Sequence, residues 1–271
     1  MLEILPVTPT IGAEIVGIDL ADGCSDADFA AIEDAWLRHK VLFFPDQRRM
    51  TTEQHVALCR RFGELELHPF APSKPGHPEV MTVIANPYRR GNENTWHSDV
   101  TWREEPSRGS MLRAIQIPPV GGDTLFADME AAYDGLDAAL QERLAGLRAV
   151  HDLTKVAATI AGADAAKALA EKYPPVEHPV IRTHPTTGRR SIYVNAAFTT
   201  HVAGLDADDS TELLQLLYRQ AAIPEYQCRL RWRPGTIALW DNRCTQHYAA
   251  SDYFPAERVM ERVTIVGDRP H

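Results

Sequence analysis

The chain has 271 residues, 44% hydrophobic and 24% charged, enough apolar content for a sizeable core. Its formal net charge of -9 argues against a nucleic-acid binder, whose domains carry basic patches. No apolar run approaches the roughly 20 residues of a membrane span, and the N-terminus has no basic-then-apolar leader. The four cysteines, Cys24, Cys59, Cys228 and Cys244, form no CxxC pair. These features predict a cytoplasmic protein with reduced thiols and a single domain over 1–271, with no nucleic-acid or membrane partner. A homo-oligomer is compatible with them.

In chain order, residues 11–20 partly alternate and predict one or two short strands. Ser25 is placed to cap a helix with Phe29, Ile32, Ala35, Trp36 and His39 on one face. Val41 to Phe44, closed by Pro45, predicts a buried strand. Thr52 is the expected cap of a second helix that turns Val56, Cys59 and Phe62 inward and ends at Gly63. Strands are expected at 80–84, 110–117, 124–126, 191–194, 226–232, 236–240 and 259–266. Helices are expected at 128–146, 161–172 and 209–222. His178 and His184 flank a strand and read as loop or surface residues. Trp232 and Trp240 read as sheet core, and Asp206 to Asp209 as a solvated helix start. Many strands with interspersed helices predict a mainly β fold with helical insertions, a jelly roll or distorted barrel.

The chemistry-bearing residues are His97, Asp99 and His247. Two imidazoles and one carboxylate form the set that grips non-haem Fe(II) on one face and leaves the other open. An H-x-D pair reaches one ion from an extended segment, because residues i and i+2 share a side there. The reading therefore expects 96–101 to be extended. Arg229, Arg231, Arg233, Arg243, Arg258 and Arg262 gather near the C-terminus, and such a cluster in an acidic chain suggests a small anionic ligand.

Several runs together resemble the TauD/TfdA family of Fe(II)- and 2-oxoglutarate-dependent dioxygenases. They are Ile11 to Ile15, Arg61 to Leu65, Trp96 to Thr101, Gly121 to Leu125, Tyr193 to Asn195, and Trp240 to Arg243 with Gln246 to Tyr248. The resemblance covers nearly the whole chain. It implies a double-stranded β-helix (jelly roll), with His97, Asp99 and His247 on iron. It places Thr124 and Arg258 on the distal carboxylate of 2-oxoglutarate, a job that suits a hydroxyl beside a guanidinium fork. Read alone, without the resemblance, Thr124 is better taken as a turn residue after two glycines. The implied chemistry uses O2 and 2-oxoglutarate, releases succinate and CO2, and hydroxylates a small anionic organic substrate. Hydroxylation beside a heteroatom would yield a product that falls apart into an aldehyde and the leaving group.

The resemblance also implies His68, Phe198 and Arg262 at the substrate. Arg262 is four residues beyond Arg258, so both share a strand face; the competing reading is a surface cation. His68 reads equally as a polar loop residue before Pro69. Three positions depart from the taurine pattern: Ala71, Glu93 and Ala157 replace a tyrosine, an asparagine and a phenylalanine. The changes suggest a larger pocket, for a sulfonate, sulfate ester or carboxylate bigger than taurine, or for taurine bound weakly. Glu93 would hold a substrate ammonium or point to solvent. Two rivals are a zinc-dependent hydrolase, built on the same ligand types, and a non-catalytic jelly-roll binding protein.

Overall fold

A computed structural model describes residues 1–68, 72–91, 93–154, 156, 168–169 and 171–271. Among them, eight strands form the main sheet, in the order β1 (Glu3–Pro6), β2 (Ala13–Val16), β3 (Val41–Phe44), β14 (Ile237–Asp241), β6 (Gly109–Gln116), β16 (Arg258–Ile265), β5 (His77–Ala85) and β4 (Ser73–Lys74). A three-stranded sheet, β13 (Gln227–Leu230), β7 (Thr124–Asp128) and β15 (Thr245–Ala249), faces it. The remaining strands are β12 (Thr199–Val202), β8 (Arg148–His151) and β9 (Val176–Pro179), with the pair β10 (Ile181–Thr183) and β11 (Arg190–Ile192). The sandwich of two sheets is the jelly-roll core.

Side-chain alternation decides what lies between the sheets. Val41 and Phe43, Ala238 and Trp240, and Met260 pack inward against Phe126, Cys228 and Leu230 of the facing sheet. Their neighbours Leu42, Phe44, Ile237, Leu239, Val263 and Ile265 pack outward under helices α1 (Asp26–His39) and α2 (Thr52–Phe62). β3 is buried on both faces, which is why its sequence shows no polar alternation. The same parity turns Arg258 and Arg262 toward the interior with Met260.

Ser25 caps α1 as its sequence suggests, accepting from Asp28 N at 3.1 Å. The cap of α2 is Thr51, one residue before the expected Thr52. Thr51 has Gln54 three residues on, and the two exchange side-chain and backbone bonds in a capping box. The expected 128–146 helix is two, α3 (Met129–Asp134) and α4 (Ala138–Leu144). Gly135 ends the first and Asp137 caps the second, both breaking signals readable in the sequence. Helix α5 (Ala207–Gln220) starts at the Asp206 cap. Most of the 161–172 helix expectation lies outside the described residues, as do Ala71 and Ala157. All four cysteines are free thiols. No helix among the described residues is long and apolar enough to cross a membrane.

Candidate metal centre and co-substrate pocket

His247 sits mid-strand on β15, opposite Phe126 on β7. His97 joins it through a two-bond bridge, His97 N to His247 O at 3.1 Å and His247 N to His97 O at 2.8 Å. The extended segment stops there. Asp99 and Val100 are in a turn, with Val100 at φ 48°, so the expected extension through 101 fails beyond His97. The turn is held by Asn242. Its Oδ1 accepts from Asp99 N at 2.6 Å, and its Nδ2 donates to Asp99 O at 2.9 Å and Ser107 O at 3.1 Å.

The three candidate ligand atoms lie within 4.8 Å of one another. Both imidazole Nε2 atoms are 3.8 Å from Asp99 Oδ1, too long for hydrogen bonds but close enough to share one ion. His97 Nδ1 is 2.7 Å from Thr95 O. A carbonyl only accepts, so Nδ1 carries the proton and Nε2 presents a lone pair, the usual tuning of a metal-binding histidine. Burial opposes ionisation of Asp99, but the Arg262 guanidinium and the two imidazoles hold its pKa at about 2. Burial, and then His97, push His247 down to about 3. At neutral pH the carboxylate is charged and His247 is a neutral donor. This donor set fits Fe(II).

Arg262 Nη2 meets the other Asp99 oxygen at 2.7 Å, and its Nε donates to Ser110 Oγ at 3.1 Å. The guanidinium lies over Trp240, 5.4 Å from the ring centroid. Arg262 is thus no surface cation. Glu66, His68 and Met81 share a cleft with it. Glu66 pairs with Arg103 at the same cleft. Burial, then Arg262 and Arg103, push His68 to about 4, so it is neutral near pH 7. Phe198 is buried, edge-on to His97 at 6.3 Å.

Thr124 begins β7 as a buried strand residue, which settles against the turn reading. Its Oγ1 accepts from Trp232 Nε1 at 2.9 Å. Arg258 is 4% exposed, its guanidinium 5.9 Å from the Trp232 ring centroid. Its Nε has no hydrogen-bond partner, and among the described residues it makes no ion pair. A buried, always-charged group without a carboxylate calls for a ligand that brings one. By strand rise, Arg258 stands about 13 Å from Arg262 along β16.

Of the other arginines in the C-terminal cluster, Arg229, Arg231 and Arg233 are exposed and Arg243 is spent on Asp241, at 2.8 and 2.6 Å. Only Arg258 and Arg262 of the six reach the site. Glu93 is exposed, and its backbone carbonyl accepts from Ala249 N. Neither His178 nor His184 is a surface residue. Both are 1% exposed, His178 on β9 and bound to Arg103 O, His184 in the loop after β10 and bound to Asp241 Oδ2 at 3.1 Å. His184, Asp241 and Cys244 form a second buried cluster. Arg243 and His184 already fill the Asp241 carboxylate, so this cluster is a polar brace below the β14–β15 turn. Asn242 and Tyr253 received no role from the sequence, although Asn242 lies inside the Trp240–Arg243 run.

A jelly roll with two histidines and an aspartate gathered together, and a buried arginine that makes no ion pair among the described residues, has the features of a metal- and 2-oxoacid-dependent oxygenase. The match to the family model for taurine catabolism dioxygenases, TauD/TfdA, runs over residues 3–264, and the chain belongs to that family. It is similar to an alpha-ketoglutarate-dependent sulfate ester dioxygenase of Pseudomonas putida, 35% identical over 99% of this chain and 91% of the relative. It is also similar to an (S)-phenoxypropionate/alpha-ketoglutarate-dioxygenase of Sphingobium herbicidovorans, 35% identical over 98% and 95%. A solved taurine dioxygenase from Burkholderia xenovorans superposes with a TM-score of 0.86, at 37% identity, covering 99% of this chain and 90% of that one. The chain is a 2-oxoglutarate-dependent dioxygenase, using Fe(II), 2-oxoglutarate and O2.

Proposed function

We propose that His97, Asp99 and His247 hold the iron, that Thr124 and Arg258 seat the distal carboxylate of 2-oxoglutarate, and that residues 1–271 act as one dioxygenase domain. The observation that carries this reading is the ligand cluster itself, three buried donors within 4.8 Å that make no hydrogen bonds to one another. When bound, the iron, 2-oxoglutarate and O2 supply the oxidising chemistry. The chain's own work is to orient and to exclude water. Thr95 fixes the His97 tautomer, Asn242 fixes the Asp99 turn, and Arg262 holds the second Asp99 oxygen so that Oδ1 faces the histidines. Phe198 and Trp240 wall the site with apolar surface.

The substrate we assign is a sulfate ester, sulfonate or aryloxy carboxylate larger than taurine. Arg262, with Nη2 and Nε engaged, keeps Nη1 to face an anion, and His68 lines the same cleft as a neutral partner. Relatives acting on sulfate esters and phenoxypropionate, each 35% identical, support the larger substrate. Nothing favours the hydrolase or the non-catalytic reading. A panel of taurine, alkyl sulfates of graded length and phenoxyalkanoates, read by succinate formation, tests the assignment. The expected optimum is a long alkyl sulfate or an aryloxy acid; highest kcat/KM with taurine would refute the larger pocket.

A further inference from the structure

The hydrogen-bond inventory around Arg258 points beyond the two residues already placed there. Trp232 Nε1 can only donate, so in its bond to Thr124 the threonine oxygen accepts and the hydroxyl proton is left for another acceptor. Tyr253 repeats this arrangement. Its ring centroid is 5.9 Å from the guanidinium, which places the phenol beside the Arg258 side chain. Arginine has no acceptor, so toward Arg258 the phenolic oxygen can only accept, and its proton too is unassigned. Two hydroxyl protons and the unpartnered Arg258 Nε thus meet around one buried cation that makes no ion pair among the described residues; the exposed Glu93 acts on it only from beyond ion-pair distance.

The fold has made room for Tyr253 at this place. A Cβ on Gly91 would sit 2.6 Å from the Tyr253 hydroxyl oxygen. A Cβ on Gly122 (φ 75°) would sit 3.2 Å from the Tyr253 ring and 3.5 Å from Arg258 Cδ. Asp252 Oδ1 accepts from Gly122 N at 2.8 Å, tying the tyrosine's loop to the turn that leads into Thr124. These contacts seat the phenol over the arginine.

Resting on the assignment of 2-oxoglutarate to Thr124 and Arg258, we propose that Tyr253 is a further co-substrate-binding residue, donating its hydroxyl proton to the distal carboxylate. It would thereby select a five-carbon 2-oxo diacid over a 2-oxo monoacid.

The test uses the full chain loaded with Mn(II), titrated calorimetrically with 2-oxoglutarate and with 2-oxopentanoate, which has a methyl group in place of the distal carboxylate. In Tyr253→Phe, Kd for 2-oxoglutarate is expected to rise about 10-fold or more, the range for a hydrogen bond to a charged group. Kd for 2-oxopentanoate should stay within about 2-fold, since it never meets the hydroxyl. Tyr253→Leu provides the same comparison should the phenylalanine variant be unstable. Equal weakening of both ligands would assign Tyr253 a packing role only, and an unchanged Kd for 2-oxoglutarate would remove it from the pocket; either overturns the proposal. Failure of the wild-type protein to prefer 2-oxoglutarate over 2-oxopentanoate would overturn the pocket assignment and Tyr253 with it.

Discussion

Replacing Asn242 with alanine should weaken both the fold and the metal centre, and the structure sets the scale. Asn242 is fully buried. Its carboxamide satisfies Asp99 N, Asp99 O and Ser107 O, at 2.6, 2.9 and 3.1 Å. Alanine leaves those three backbone groups without partners in a dry place. Each such loss costs about 1–3 kcal/mol, so partial relaxation puts the total near 3–5 kcal/mol. That is a large share of the roughly 5–15 kcal/mol that holds a typical domain together. The same clasp holds Val100 at φ 48°, a left-handed conformation costing a β-branched residue about 1–2 kcal/mol. Released, the turn should relax toward ordinary geometry and carry the Asp99 carboxylate away from the two imidazoles. Metal affinity should then fall about 10- to 100-fold, the usual effect of losing an outer partner of a ligand. Urea unfolding of the metal-free protein reads the first effect, and a Co(II) titration reads the second. A variant within about 1 kcal/mol of wild type and with unchanged Co(II) affinity would refute the clasp.

Further outcomes follow from the same geometry. Arg258→Gln keeps hydrogen-bonding capacity but removes the buried charge, and should weaken 2-oxoglutarate binding by about 2–5 kcal/mol with metal affinity intact; equal affinity in a calorimetric titration would exclude Arg258 as the carboxylate's partner. Cys244→Ser should leave metal stoichiometry, measured by elemental analysis, at that of the wild type, since Asp241 is already filled by Arg243 and His184; a lower stoichiometry would make the second cluster a metal site. Burial, then Arg113, depress His55 to about 3 in the folded chain against 6.5 ordinarily. A depressed folded pKa means that the unfolded chain binds the proton first, so its contribution is intact above pH 6.5 and is lost as pH falls toward 3. His55→Gln should flatten urea stability between pH 6.5 and 4, and an unchanged slope would remove His55 as a cause.

Parts of this molecule could be read without coordinates because their causes are local. Ser25 and Gly63 mark helix ends through bonds made within a few residues, and Val41 to Phe44 announces a doubly buried strand by composition alone. Where two local signals compete, reading falters: Thr51 displaced Thr52 because only Thr51 has a reciprocating Gln54. β15, which carries His247, escaped notice because Thr245 to Ala249 has no apolar alternation; its pairing with β7 and the bridge to His97 make it a strand.

The identity of the candidate ligands, His97, Asp99 and His247, and of the two carboxylate-binding candidates, Thr124 and Arg258, was written in residue type and in the match of motifs spread along the chain. Their arrangement was not. Asp99 reaches the histidines from a turn rather than a strand, and what bends it there is Asn242, 143 positions away. Arg262 pairs with Asp99, while Arg229, Arg231 and Arg233 face solvent, because sheet parity and register assign each side chain a side. Residue chemistry is a property of the polymer, but which donors share an ion, and which charges stay buried without partners, depends on contacts between segments far apart in sequence.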